Sequence, residues 1–277
     1  MTTYIIGDIH GYYNEFLSLL KKVNFNYKKD HLWITGDIIA RGPDSDKILF
    51  YLYNIQKSVK LVLGNHDLYL LALHSGIPNT GTIYDQKILE LLANKKISFI
   101  IDNWLKYQPL IQINKEKKII MTHAGITPQW NNIDILNSVS REVKDILVSK
   151  NNKIFFASMC NKRYQINNWN NNKLTGFKRF NFILNSLTKM RYCYPDGTLE
   201  MTTKGEPKNV SKLLKPWFLI PNDIYKKYTI LFGHWSSLNG RYTPSHIMGL
   251  DTGCCWGNKL TMLSWENKKF YTENCKI

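Results

Sequence analysis

Residues 4–11 read YIIGDIHG, a short apolar run that ends in an aspartate and a histidine flanked by glycines. The pattern returns twice: HLWITGD (31–37) ends at Asp37, and VKLVLGN (59–65) ends at Asn65. Asp8, Asp37 and Asn65 are 29 and 28 residues apart, about one β-strand, one helix and one connection each. Right-handed crossovers make such strands parallel, so these polar side chains should meet at the carboxyl edge of one sheet.

The rest of the chain alternates between strand and helix patterns, which predicts an α/β fold. We expect a single domain over 1–277 with a cap-like insertion at about 131–220, because residues 150–220 are asparagine-rich and irregular. Helices are predicted at Glu15–Val23, Ser45–Ile55, 82–105 and 132–149. Further strands are predicted at Pro109–Ile113, Lys118–Met121, Tyr228–Phe232 and Ile247–Leu250, followed by a hairpin of Leu260–Trp265 and Phe270–Thr272.

Polar side chains at the predicted strand ends form a mixed set of oxygen and nitrogen donors, which suits Mn²⁺, Fe or Zn²⁺. One carboxylate shared by two ions would hold them about 3.5–4 Å apart, as in two-metal hydrolases. His31, His74 and His246 lack a strand-end context, and we expect them to be structural or exposed. The candidate set is Asp8, His10, Asp37, Asn65, His66, Asp67, His123 and His234.

Five short motifs in a fixed order resemble the phosphoprotein-phosphatase branch of the calcineurin-like metallophosphoesterases. They are GDIHG (7–11), GDIIARG (36–42), GNHD (64–67), THAG (122–125) and FGHW (232–235). Within that branch the chain is most similar to bacterial enzymes that split dinucleoside tetraphosphates symmetrically. The resemblance implies a β-sandwich of two mixed sheets flanked by helices, with a helical or irregular cap insertion.

The resemblance also implies roles for the matching residues. Asp8 and His10 would bind the first metal ion and Asp37 would bridge the two ions. Asn65, His123 and His234 would bind the second ion. His66 would be the general acid, oriented and charged by Asp67, and Arg41 and Arg191 would hold phosphate. The ions are expected to be Mn²⁺, with Co²⁺ or another transition metal as alternatives.

These roles predict a hydrolase that splits diadenosine tetraphosphate into two ADP. Two ions lower the pKa of a bridging water, so that hydroxide is available near neutral pH for in-line attack on phosphorus. The ions and the two arginines stabilise charge on the phosphoryl oxygens, and His66 protonates the leaving oxygen. The resemblance further implies removal of dinucleoside-polyphosphate caps from RNA 5′ ends.

A protein serine/threonine phosphatase is the alternative enzyme, since it shares the metal site. The chain departs from that pattern at Leu63, where those phosphatases carry arginine, and at Ala40, where they carry aspartate. Asp67 replaces their usual glutamate, and THAG (122–125) replaces HGG. The nucleotide enzyme is therefore the first interpretation.

The formal charge of +16 suggests a third interpretation, a nucleic-acid-binding protein with an inactive phosphatase core. Most basic residues are scattered lysines, so we expect most of this charge to lie on solvated faces. The intact set of candidate ligands argues against an inactive core. A basic rim would help binding of a polyanionic substrate or a capped RNA end.

Other features exclude several protein classes. An apolar fraction of 44% over 277 residues excludes a disordered chain, and no apolar run is long enough to span a bilayer. No signal peptide is evident, and five cysteines without CxxC spacing do not predict a disulfide scaffold. We therefore expect a cytoplasmic protein with no membrane partner and no obligate protein partner. Four tryptophans are candidates for stacking adenine, although burial is the commoner role: Trp130, Trp169, Trp217 and Trp256.

Overall fold

The computed structural model describes residues 1–78, 83–169 and 173–276. The helices are α1 (Tyr13–Lys22), α2 (Ser45–Asn54), α3 (Asn65–His74), α4 (Ile83–Leu92), α5 (Lys95–Asn103), α6 (Ile133–Val148), α7 (Asn152–Met159), α8 (Gly176–Thr188) and α9 (Asp223–Lys227). The strands are β1 (Thr3–Ile6), β2 (His31–Ile34), β3 (Val59–Leu61), β4 (Ile111–Asn114), β5 (Ile119–Thr122), β6 (Tyr192–Cys193), β7 (Leu199–Glu200), β8 (Lys215–Pro216), β9 (Thr229–Phe232), β10 (Ile247–Gly249), β11 (Lys259–Ser264) and β12 (Lys269–Asn274).

The first sheet has the strand order β12-β11-β1-β2-β3. β1 pairs with β2 and β2 with β3 in parallel, with Ile6 opposite Ile34 and Ile34 opposite Leu61. β11 pairs with β1 and with β12 in antiparallel fashion. The two parallel crossovers predicted from the spacing of Asp8, Asp37 and Asn65 are therefore confirmed.

The second sheet has the strand order β10-β9-β5-β4 and is also mixed, because β9 runs parallel to both neighbours while β4 and β5 are antiparallel. A cluster of buried side chains joins the two sheets face to face, which confirms the α/β sandwich expected from the motifs. It comprises Ile5, Trp33, Val62, Ile119, Met121, Leu231, Leu250 and Leu263. Burial of each such side chain contributes roughly 1.5–3 kcal/mol.

The helices that follow β1 and β2 cover the outer face of the first sheet with one apolar stripe each. Phe16 and Leu19 of α1 and Ile48 and Leu52 of α2 are fully buried in the main core cluster. Their spacing of three or four residues is that of an amphipathic helix packed on a core. These stripes pack the helices that lead from β1 to β2 and from β2 to β3 against the core.

The predicted irregular segment, residues 150–220, is more ordered than its composition suggests, and that prediction was wrong in part. Its described residues contain α7, α8 and a small sheet of order β7-β6-β8. In α8 every residue from Phe180 to Thr188 is buried, including the polar Asn181 and Asn185, so the asparagine-rich composition did not indicate that this part of the chain is packed in the core.

The single helix predicted over 82–105 is also corrected, because α4 and α5 are separate helices. The Asn94 side chain accepts a hydrogen bond from Lys96 N at 3.0 Å and caps α5. Residue 82, where the predicted helix begins, lies outside the described residues.

The C-terminal strand is joined to the loop after β10 by a disulfide between Cys254 and Cys275. The odd number of cysteines and their spacing did not indicate this pair. Within the described ranges, no helix combines the length and the apolar character that crossing a bilayer requires.

Candidate metal centre

Two buried aspartates lie at the carboxyl ends of neighbouring strands, Asp8 after β1 and Asp37 after β2. The carboxylate of Asp8 accepts hydrogen bonds from Thr35 Oγ1 at 3.1 Å and from the backbone N–H of His234 at 2.9 Å. The carboxylate of Asp37 accepts the backbone N–H of His66 at 2.8 Å, at the start of α3. The positive end of that helix stabilises the negative charge on Asp37.

Three imidazoles surround the second oxygen of Asp37. Oδ2 of Asp37 lies 3.3 Å from Nε2 of His123 and 3.9 Å from Nε2 of both His10 and His66. These residues form two groups in which all ligand atoms lie within 4.8 Å of one another. One group is His10, Asp37 and His66, and the other is Asp8, Asp37 and His123. Asp37 belongs to both groups, which is the position that a carboxylate bridging two ions would take.

Asn65, His123 and His234 lie in contact with one another, and His123 also contacts Asp37. Nδ1 of His123 lies 2.8 Å from Thr35 O, which leaves Nε2 facing the site, 3.1 Å from the side-chain amide group of Asn65. Nε2 of His234 lies 3.1 Å from Lys189 O, and its Nδ1 lies 3.0 Å from the Asn65 amide nitrogen once that amide is turned over. Both rings are oriented by backbone carbonyls, as metal-binding histidines usually are.

The backbone at these strand ends takes unusual conformations. His10, Asp37 and His234 have φ of +49°, +49° and +61°, in the left-handed region that costs free energy for residues other than glycine. The neighbouring glycines are required by space: a Cβ at Gly64 would collide with the Asp37 carboxylate, and one at Gly233 would collide with the Asp8 carboxylate. The backbone conformation and the glycines together fix the positions of these side chains.

The electrostatics of the buried groups fit cations at this centre. Burial and the nearby Asp251 raise the pKa of Asp8 well above its ordinary value. Burial also favours the neutral form of Asp37, but His123 and His66 hold its pKa well below the ordinary value. Burial would lower the pKa of His123, yet Asp37 and Asp8 raise it to about 10. Buried carboxylates and imidazoles that face one another are oxygen and nitrogen donors of the kind that divalent transition metals bind.

The structure gives Asp67 different partners from those expected. Its carboxylate, fully buried, accepts backbone N–H groups from Asp37 at 2.8 Å, Ile38 at 3.1 Å and Gly64 at 2.9 Å. The carboxylate facing the ring of His66 is that of Asp37, and burial lowers the pKa of His66 to about 4 against the opposing effect of Asp37. The expectation that Asp67 charges His66 is corrected accordingly.

A cavity of about 340 Å³ opens above the donors and contains both predicted phosphate-binding arginines. Arg41 is exposed at its rim, and Nη2 of Arg191 donates to His234 O at 3.2 Å. Sequence reasoning missed four further polar residues that line it: Lys189, Lys204, Ser236 and Asp251. Asp251 follows β10 as Asp8 follows β1, so the strand-end argument extended to the last parallel strand would have found it.

The three histidines set aside earlier lie outside this cavity, as expected. Nε2 of His74 lies 3.3 Å from the Asp102 carboxylate at the surface, while His31 and His246 do not line the cavity. The structure thus separates the seven histidines into four around the two aspartates and three elsewhere.

Comparison with known proteins gives three consistent findings. The family model for calcineurin-like phosphoesterases matches residues 1–188. Symmetrical bis(5′-nucleosyl)-tetraphosphatases of Erwinia tasmaniensis and Proteus mirabilis are 48% and 47% identical over 273 residues, which cover 99% of this chain and 97% of each relative.

Solved structures share the fold at much lower identity. A crystal structure described as a candidate diadenosine tetraphosphatase matches 99% of this chain and 94% of its own with a TM-score of 0.64 at 20% identity. A cold-active protein-tyrosine phosphatase of a psychrophilic Shewanella matches 99% of this chain and 80% of its own with a TM-score of 0.61 at 17% identity.

Proposed function

This chain belongs to the calcineurin-like phosphoesterase family, and we propose that it hydrolyses diadenosine tetraphosphate symmetrically into two ADP. The observation that carries the chemistry is the position of Asp37, a buried residue whose carboxylate belongs to both donor groups. The substrate rests on identities of 47–48% to relatives named symmetrical bis(5′-nucleosyl)-tetraphosphatase over nearly the whole chain. It is a phosphoric anhydride hydrolase of nucleotide metabolism.

The metal ligands are proposed as Asp8, His10 and Asp37 for one ion, and Asp37, Asn65, His123 and His234 for the other. Two divalent ions, when bound, would supply Lewis acidity and an activated water. Mn²⁺ is the proposed ion, with Co²⁺ or another transition metal as alternatives, because the donors are carboxylate, amide and imidazole groups.

The remaining side chains of the cavity act on the substrate. Arg41 and Arg191 bind phosphoryl oxygens, and the planar guanidinium forks suit bidentate contacts. His66 lies at the mouth of the donor cluster and donates a hydrogen bond or a proton to the leaving phosphate oxygen. The negative charge of the bound tetraphosphate favours the protonated form of His66, against the burial that lowers its pKa. Attack next to the central bridging oxygen leaves an ADP on each side.

The same proposal covers the wider setting of the enzyme. Residues 1–277 act as a single domain, with 131–220 as a cap beside the cavity. The +16 charge attracts polyanions, so the 5′ ends of RNA that carry a dinucleoside-polyphosphate cap are a proposed second substrate in the cytoplasm. Binding to capped RNA should then weaken as salt rises from 50 to about 200 mM, as expected for phosphate contacts. Affinity that stays constant over this range would contradict a role for the charge.

A comparison of turnover tests the choice between nucleotide and protein substrates. The Mn²⁺-loaded enzyme should release ADP from diadenosine tetraphosphate faster than it releases phosphate from a phosphoserine peptide. Faster turnover of the peptide would overturn the proposal in favour of a protein serine/threonine phosphatase, which uses the same kind of metal centre.

A further inference from the structure

The four tryptophans considered as base-stacking residues have very different surroundings. Trp130 and Trp217 are fully buried in the core. Trp169 is half-buried, and the Arg179 guanidinium lies 4.6 Å from the centre of its ring. Trp256 is 60% exposed and lines the cavity above the metal ligands. Of these four, only Trp256 combines an open surface with a place beside the reacting centre.

One face of the Trp256 indole is already occupied. The guanidinium of Arg41 lies 4.6 Å from the ring centre, within the range of a cation–π interaction. The accessible surface of the side chain is therefore the opposite face of the ring and its edges. The indole of Trp256, which could stack a base, and the guanidinium of Arg41, which could bind phosphate, therefore lie next to each other. The base and the phosphates of one nucleotide are also close together.

The loop that carries Trp256 is held at several points. The N–H of Trp256 donates to Gly253 O at 2.9 Å, and that of Gly257 donates to Cys254 O at 3.0 Å. Gly253 and Gly257 have φ of +80° and +77°, which other residues rarely adopt. The disulfide from Cys254 to Cys275 ties the same turn to the C-terminal strand. A loop backbone fixed in this way loses little conformational freedom when a ligand stacks on the ring that it carries.

We propose that the open face of Trp256 stacks a purine base of the substrate while Arg41 packs on its other face. This inference rests on the proposed function, because it assigns one nucleoside of the dinucleotide to a position in the same cavity. Stacking uses the π-face that every base has, so it sets a preference for large bases over small ones rather than reading hydrogen-bond edges. Adenine and guanine dinucleotides should then bind more tightly than their uracil counterpart.

The test compares ligands with and without a base on the Mn²⁺-loaded enzyme. Kd values for ADP and for inorganic pyrophosphate are measured by calorimetry for the wild type, Trp256→Leu and Trp256→Phe. Tyr107→Leu is the matched control, since Tyr107 is also exposed with Lys106 5.5 Å from its ring centre, yet it does not line the cavity. Trp256→Leu should weaken ADP binding about 5- to 100-fold, the usual size of base–aromatic stacking, and leave pyrophosphate binding within about twofold.

The conservative variant and the control complete the expected pattern. Trp256→Phe should keep most of the ADP affinity, and Tyr107→Leu should change neither Kd. Equal weakening of ADP and pyrophosphate by Trp256→Leu would show that Trp256 only holds Arg41, and unchanged ADP affinity would overturn stacking altogether. These titrations need no turnover. If the wild type does not form two ADP from diadenosine tetraphosphate, the proposed function is wrong. The Kd values for ADP and pyrophosphate still decide whether Trp256 stacks a base.

Discussion

The backbone N–H of Asp37 donates to the carboxylate of Asp67 at 2.8 Å, so the residue expected to act on His66 instead fixes the loop that carries the central carboxylate. The same oxygen of Asp67 accepts Gly64 N, and the other oxygen accepts Ile38 N. Through these bonds Asp67 clamps the turn after β2 to the start of α3. The two elements that carry Asp37 and Asn65 are therefore held together by one buried side chain.

Asp67→Asn should destabilise the protein and loosen the metal centre. The amide keeps one acceptor oxygen for three N–H donors, and its NH₂ group would face backbone N–H groups, so at least one buried donor is left unpaired. We expect a loss of about 2 kcal/mol in the free energy of unfolding, measured by urea denaturation, together with reduced metal content. A variant of unchanged stability and metal content, with a shifted pH profile of kcat, would instead support a direct action of Asp67 on His66.

Asp37→Asn should abolish turnover and deplete bound metal, because Asp37 belongs to both donor groups. Loss of the negative charge shared by two ions should lower kcat by about 1,000-fold or more, which corresponds to roughly 4 kcal/mol of transition-state stabilisation. Metal content per chain is read by plasma mass spectrometry. Asp196→Asn, at an exposed carboxylate in a turn, is the matched control and should keep both metals. Two tightly bound ions in Asp37→Asn would contradict the bridging role.

His66→Asn should separate catalysis from metal binding. Loss of a general acid lowers turnover about 100- to 10,000-fold, and the proposed ligands are all still present. His74→Asn is the control on the same helix, because His74 lies outside the cavity and pairs with Asp102 at the surface. Metal content should stay at two ions per chain in both variants. If His66→Asn loses its metals, His66 is a ligand, in line with its place near His10 and Asp37, and the general-acid assignment is wrong.

The pH dependence of stability should include a contribution from Glu266, far from the metal ligands. Its carboxylate accepts Thr3 N at 2.8 Å and pairs with Lys117, which joins the turn between β11 and β12 to that between β4 and β5. Burial would raise the pKa of Glu266, but the hydrogen bonds from Lys117 and Thr3 outweigh it and lower the pKa below the ordinary value.

A lowered pKa in the folded state stabilises the protein above the unfolded-state pKa, and that contribution is lost as pH falls through the folded-state value. Glu266→Gln should therefore cost less than about 1 kcal/mol at pH 7, given the partial exposure of the pair, and nothing at low pH. Urea denaturation of both proteins across pH 2–7 measures the difference. A cost that grows as the pH falls would reverse the assigned sign.

The sequence was sufficient for the parts of the fold that follow from local periodicity. The parallel order of β1, β2 and β3 follows from the spacing of Asp8, Asp37 and Asn65, and the amphipathic helices between them follow from their apolar stripes. The structure of 150–220 did not follow, because its asparagine-rich composition suggested an exposed, irregular chain, whereas α8 buries Asn181 and Asn185 together with its apolar residues. The disulfide of Cys254 and Cys275 depends on how the chain brings distant residues together, which their spacing does not encode.

The candidate site was predictable to a similar extent. Motif order placed Asp37 among the metal-binding candidates, and the structure brings it together with Asp8, His10 and His123. The bond from the Gly64 N–H to Asp67 is a helix-capping interaction that the residue spacing allows, but the bonds from the Asp37 and Ile38 N–H groups were not predictable, since they come from a different strand end. The exposure of Trp256 was likewise not predictable, since the sequence does not distinguish it from Trp130 and Trp217, which are fully buried.

The most direct test of the account is product analysis of diadenosine tetraphosphate hydrolysed by the Mn²⁺-loaded enzyme in ¹⁸O-labelled water. Symmetrical attack on a phosphorus atom beside the central bridge predicts ADP as the sole nucleotide product by liquid chromatography, with one ¹⁸O in half of the ADP molecules by mass spectrometry. AMP and ATP in equal amounts would contradict the symmetrical cleavage on which the account rests.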